Sequence, residues 1–381
     1  MRTLALLALT SPALIAGVAS PAAQPSAVQI PVNKGSIDLA TGLYVRVNED
    51  LVVPGLPVLA LRRTYLSGFR GSREFGIGTT HAGEEYVSGD ARGASLILAR
   101  GSRISFTRAM RGTGSLNARL VHDASAGEWR RAELLWTTGG WTLRKRDGSV
   151  LSFRACDEAG VCSITESTDS HGRTIRYRRN PSGQLLKMEA AKNRWIAFEY
   201  DRAGRIERAY DSKKRSMRYA YDQRGRLQRA TASDGTVREY TYSDEDELLT
   251  IEEPGTSITN RYEGGRCVRQ VNWLPDRDPY TFEFIYQVEG PTIHRTRISE
   301  SNGTWREYAW DDRKAAMSET HGRAGSEPAF VMYERDAASR AVIAMTLSCR
   351  DRTGRPVRQR IAVDHREAEP LKRAMLSKLC S

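Results

Sequence analysis

Histidine is scarce, with six residues in a chain of 381, and none of the six (His81, His122, His171, His294, His321, His365) stands in a metal-ligand spacing. The chain has no Gly-x-Ser-x-Gly elbow, no phosphate loop and no dinucleotide fingerprint, so hydrolytic, nucleotide-dependent and hydride-transfer chemistries lack their usual signatures. It also lacks RNP aromatic runs, zinc-finger spacings and helix-turn-helix patterns, which leaves no dedicated nucleic-acid reader. Lys and Arg number 58 against 46 Asp and Glu, a net charge of +12. Such an excess favours anionic surfaces, but arginine scattered along solvent-facing strands also keeps sheets from aggregating, and that role is the one expected. No cofactor is implied. After the first two dozen residues, no run is apolar enough to span a bilayer.

What the sequence does have is a repeat of 21 residues. Tyr200-Asp201-Arg202-Ala203-Gly204-Arg205-Ile206 returns as Tyr221-Asp222-Gln223-Arg224-Gly225-Arg226-Leu227. The same step leads back to Gly183 and Leu185 and forward to Asp246 and Leu248. Parallel columns run through Tyr177, Phe198, Tyr219 and Tyr240, and through Gly172, Asn193, Lys214 and Gly235. A fixed period in this range marks a stacked architecture whose units cannot bury a face alone.

Aromatics two apart (Phe198 and Tyr200, Tyr219 and Tyr221, Tyr240 and Tyr242) share one face of a strand. Each strand runs into Asp-x-x-Gly, where Asp bonds its own downstream backbone and Gly supplies positive φ. His171-Gly172 and Asp234-Gly235 mark a second turn, so each cycle holds about two short strands. Asp246 replaces Gly in the fourth cycle and is expected to keep the turn. Regular stacking needs identical residues at identical positions, so the tyrosines are read as filling for an inner face; a sugar-binding aromatic ladder is the alternative.

These motifs resemble the YD repeats of the Rhs family and of the related teneurin and toxin-complex proteins. The residues that carry the resemblance are Tyr200, Asp201, Gly204, Arg205, Tyr221, Asp222, Gly225 and Arg226, with weaker copies at Tyr262, Tyr308 and Tyr333. Upstream, Asp38-Leu39-Ala40-Thr41-Gly42, Pro54-Gly55-Leu56-Pro57, Arg62-Arg63-Thr64-Tyr65 and Phe75-Gly76-Ile77-Gly78 resemble the domain of unknown function that precedes YD repeats in Rhs proteins. The resemblance implies an all-β fold: a repetitive antiparallel, shell-like sheet with a β-rich N-terminal domain. In long relatives such a shell encloses a toxin or presents an adhesive surface. Thr79-Thr80 stand where the family continues into Trp, and residues 341–381 contain no Asp-Pro-x-Gly-Leu core motif. The expectation is therefore a short form without a toxin domain.

Arg2, the apolar run from Leu4 to Val18 and the small residues Ala19 to Ala23 read as a signal peptide over 1–23, cleaved near Ala22 or Ala23. An exported, periplasmic or secreted location follows, and with it the reading of the cysteines. Cys156 and Cys162 flank a short loop between strands and are expected to pair, as are Cys349 and Cys380, leaving Cys267 as a buried thiol. The expected layout is an N-terminal domain over 24–165, the YD sheet over 166–340, and a hairpin and small helix over 341–381. Leu371, Met375, Leu376 and Leu379 share one helical face, with Lys372, Arg373 and Lys378 mostly elsewhere.

Two clusters of ionisable residues stand out from the repeat. His81 lies beside Glu84 and Glu85, and Asp244-Glu245-Asp246-Glu247 is acidic but lacks the ligand spacing of a calcium loop. The expected function is a non-enzymatic scaffold or binding protein of the envelope or exterior, tied to a toxin or secretion-system protein. A glycan-binding protein comes second, through Trp129, Trp136, Trp141, Trp273 and Trp305, and a hydrolase using Glu84 or Asp244 third.

Overall fold

The computed structural model describes residues 29–32, 35–99, 101–109, 118–123, 128–137, 139–337, 340–351, 353–364 and 367–380. The signal segment expected over 1–23 and its cleavage site lie outside these residues. The chain is built almost entirely of antiparallel strands, with one α-helix, Ala368–Leu379, among the described residues. No helix of the described residues is long and apolar enough to cross a membrane.

One part of the sheet closes on itself. Its strands are Tyr86–Asp90, Gly93–Ile97, Arg103–Arg108, Arg119–His122, Ala132–Thr137, Gly140–Arg144, Val150–Arg154 and Cys162–Thr168, each paired with the next. The last returns to the first through Cys162↔Val87 and Ser163↔Tyr86. Alternate residues point inward, as the strand period of two requires, and Leu96, Phe106, Leu120, Leu134, Leu143 and Phe153 fill the interior.

The strand Cys162–Thr168 also pairs outward with Thr174–Arg179. From there a meander runs in chain order to Pro356–Ala362. Each YD motif carries a β-bulge, with register shifts at Glu199/Tyr200, Ala220/Tyr221, Thr241/Tyr242 and Arg261/Tyr262. Gly183, Gly204 and Gly225 all have positive φ, and Asp246 adopts 62° in the same place.

A separate five-stranded sheet (Gln29–Val32, Gly35–Asp38, Leu43–Val53, Leu59–Leu66, Thr79–His81) packs on the tyrosine-bearing face of the meander. One core joins them: Leu39, Tyr44, Leu61 and Phe75 on one side, Ile196, Phe198, Tyr219 and Ile258 on the other. The helix covers the far end, where Met375 meets Val331, Met345 and Leu347. Lys372, expected away from the apolar face, is buried instead, because its ammonium pairs with the buried Glu319 at 2.6 Å.

Candidate functional site

The YD motif explains itself in hydrogen bonds. A bulge removes a carbonyl from the regular ladder, and the tyrosine of the next repeat restores its partner. Tyr200 donates to the Leu185 carbonyl (2.7 Å), Tyr221 to Ile206 (2.6 Å) and Tyr242 to Leu227 (2.8 Å), each reaching 15 residues back. Asp201 Oδ1 accepts the amides of Ala203 and Arg205, closing the turn, while Oδ2 accepts from Arg205 Nε at 2.8 Å. The Arg205 guanidinium then lies 4.4 Å from the Tyr221 ring centroid, and Asp222, Arg226 and Tyr242 repeat the arrangement at 5.1 Å. The motif residues thus serve the wall itself.

The bulges leave amides as well as carbonyls, and the N-terminal segment takes them up. Leu185 N–H donates to Glu74 Oε1 (3.2 Å), Ile206 N–H to the Glu74 carbonyl (2.7 Å), Leu248 N–H to Tyr65 Oη (2.9 Å) and Cys267 N–H to the Gly42 carbonyl (2.9 Å). Ile77 N–H donates to the Gly225 carbonyl. A Cβ on Gly76 would collide with that oxygen, which accounts for glycine there. Beneath this seam lies a buried ion network. Arg63 pairs with Asp50, Tyr219 donates to Asp50 Oδ2 at 2.7 Å, and Arg46 pairs with Glu253.

The cluster at His81 and Glu84 gains a member the sequence did not suggest, Glu74. Ligand atoms of Glu74, His81 and Glu84 lie within 4.8 Å of one another, a donor set that a divalent cation would accept. Those atoms are already engaged. Glu84 accepts the backbone amides of Glu74 (2.9 Å) and His81 (3.0 Å), His81 Nδ1 accepts Gly83 N–H (3.2 Å), and His81 Nε2 meets Glu74 at 2.8 Å. Burial opposes charge on Glu74, yet the hydrogen bond and charge of His81 carry its carboxyl below the usual range. Burial likewise opposes charge on His81, which Glu74 and Glu84 outweigh, raising it. Burial raises Glu84, and takes Glu85 up to about 7. The cluster fastens the N-terminal sheet to the first YD repeats.

The tryptophans are mostly packed rather than presented. Trp141 is buried, Trp136 stands edge-on to it at 5.0 Å, Trp129 lies under Lys145, and Trp305 lies between Arg297 and Gly322. Only Trp273 of the five is exposed, at 49 %. Cys156–Cys162 and Cys349–Cys380 form disulfides, and Cys267 is a buried thiol in the Leu185–Ile206–Leu227–Leu248 column. Asp244 is solvent-exposed and pairs loosely with Arg224 at 3.5 Å.

Bulge, turn and tyrosine rung together define a YD-repeat wall. Residues 34–106 match the family model described as a domain of unknown function, DUF6531, and residues 161–346 match Teneurin YD-shell. The chain is an Rhs/YD-repeat protein. Among solved structures it is similar to a crystal structure of TcdB2-TccC3-TEV (14% identity, TM-score 0.38, covering 82% of this chain and 19% of that one). It is similar also to a Photorhabdus luminescens Tc holotoxin pore with a TccC3 mutation (9% identity, TM-score 0.38, 86% and 22%). The chain spans about a fifth of the length of these structures. No curated protein matches it.

Proposed function

We propose that the protein is an exported, non-catalytic scaffold or binding protein of the cell envelope or exterior, serving a toxin or secretion system through an envelope or secretion-system protein. The observation that carries this reading is the use of the tyrosine-bearing face. Its rings, bulge amides and bulge carbonyls are satisfied by the chain's own N-terminal sheet and neighbouring repeats. What the wall offers a partner is its other side, where cross-strand pairs such as Arg208–Glu199, Arg229–Glu239 and Arg295–Glu307 form a charged, rigid surface. Of the acids considered for hydrolysis, Glu84 is committed to backbone amides, and Asp244 stands in solvent with Arg224 at 3.5 Å as its contact. Two disulfides accord with export to an oxidising compartment.

The test is recovery of partners from periplasm or culture medium after cross-linking to the protein beginning at Gln24. One stoichiometric protein partner, lost when Arg208, Arg229 and Arg295 are changed together to Glu, is the expected result. Recovery of glycan alone would replace this reading with the carbohydrate-binding one.

A further inference from the structure

The first bulge of the meander breaks the rule that the next four keep, and it shares the departure with the last. Arg179 and Arg335 stand where Tyr200, Tyr221, Tyr242 and Tyr262 stand, and Arg335 donates to the Ala316 carbonyl as a tyrosine rung would. Counting back 21 residues from Tyr200 and Asp201 gives Arg179 and Asn180, followed by the turn at Gly183. The bulge is present, with Arg179 opposite Leu185, but the tyrosine rung is replaced by a guanidinium. Departures from an otherwise consistent local rule concentrate where a protein does something besides fold.

A cavity of about 520 Å³ opens at this point, between the closed barrel and the first YD strands. It is lined by Arg154, Arg176, Arg178, Arg179, Asn180 and Glu166, among others. It exists because the strand Cys162–Thr168 leaves its neighbour there. Its second half pairs with Thr174–Arg176, while its first half turns to close the barrel on Tyr86 and Val87. Two of the arginines converge on one turn. Arg179 Nη1 donates to the Gly183 carbonyl at 2.9 Å, and Arg154 Nη2 lies 3.3 Å from where a Cβ on Gly183 would stand. The Arg179 side chain is only 9% exposed. Burial lowers its pKa and the Arg154 charge adds to that, while Glu74 opposes it. The Nε atoms of both Arg154 and Arg179 are buried without an acceptor.

We infer that this cavity is an oxyanion site that takes a phosphate group. Local charge is balanced: Glu166, Glu189, Asp157 and Glu74 lie 2.7, 3.2, 3.8 and 3.8 Å from Arg176, Arg178, Arg154 and Arg179 respectively. Recognition therefore rests on donors left over: Arg179 already gives Nη1 to the Gly183 carbonyl and Nη2 to the Gly83 carbonyl, so of its five N–H groups the Nε–H and one on each Nη remain. A tetrahedral oxyanion drawn between two forks supplies acceptors that are otherwise missing, and buried charged donors without acceptors are costly. The chain's net charge of +12 adds long-range attraction. The phosphate has two chemical sources, a soluble phosphate or a phosphodiester lipid headgroup.

The test is calorimetric titration of the purified protein with inorganic phosphate at low ionic strength, beside co-sedimentation with phosphatidylglycerol vesicles. Arg179→Tyr restores the repeat rule, with the new hydroxyl placed for the Ile164 carbonyl, so the fold is expected to survive it. Arg154→Gln tests the second fork. Each substitution is expected to weaken binding about tenfold, the worth of one charge-assisted hydrogen bond. Binding of phosphate, weakened by either change, supports a soluble source; binding of vesicles alone, weakened likewise, supports a headgroup. Failure of both probes, or binding unchanged by both substitutions, overturns the inference.

Discussion

The closed barrel and the YD sheet are made of the same material and solve the edge problem differently. In the barrel, Cys162 returns to Val87, so eight strands share an interior filled by their own side chains. The YD sheet runs on as an open meander and borrows its filling, with Leu39, Tyr44, Leu61 and Phe75 supplied from the N-terminal sheet and Met375 from the helix. A closed sheet is self-sufficient, whereas a repeating wall depends on segments that do not repeat.

That contrast predicts unequal damage. Arg63→Ala takes the nearest cation from buried Asp50, leaving it Arg238 at 3.3 Å and the Tyr219 hydroxyl, and is expected to cost about 3 kcal/mol. In hydrogen exchange, the YD strands from Arg194 to Tyr242 should lose protection while the barrel keeps it; equal loss in both would erase the distinction. Cys349→Ser frees the helix end and should cost about 2–4 kcal/mol, read as a lower midpoint in urea confined to probes near Met345. Tyr221→Phe removes one rung and is expected to cost about 1 kcal/mol in thermal unfolding. An equal cost for Tyr86→Phe in the barrel would show that the rungs have no special weight.

The last expectation concerns pH. Burial raises Glu85 from 4.5 to about 7, so the folded protein binds this proton more tightly than the unfolded chain does. Its contribution is complete below pH 4.5 and is lost as pH rises through 7. Glu85→Gln should flatten the stability profile across that window, and a profile unchanged by the substitution would place the slope elsewhere. Glu74, lowered, acts with the opposite sign: its contribution is complete above the ordinary carboxyl range and is lost as pH falls through its folded value.

The repeat is legible in the sequence because period, turn and aromatic pair are all local. Positive φ at Gly172, Asn193, Lys214 and Gly235 follows from the same spacing. The Asp311 turn has no Gly to mark it, yet Lys314 takes φ 62° and Asp311 still accepts the amides of Arg313 and Ala315. What the sequence hides is long-range. Glu74 meets Leu185 across 111 residues, and the barrel closes between Val87 and Cys162, with no periodicity to announce either contact. Arg179 carries no signal of its own, because a repeat is recognised by the tyrosine that this one lacks.

The tyrosine rungs at Tyr200, Tyr221 and Tyr242 each bond a carbonyl that lies 15 residues earlier in the chain. On a ribosome, that acceptor emerges before its donor, and the barrel that anchors the first repeat emerges before both. Each unit is therefore completed by its successor and completes its predecessor. An insertion of 21 residues brings one donor and one acceptor together, so the wall can lengthen or shorten by whole units with its hydrogen-bond accounting intact.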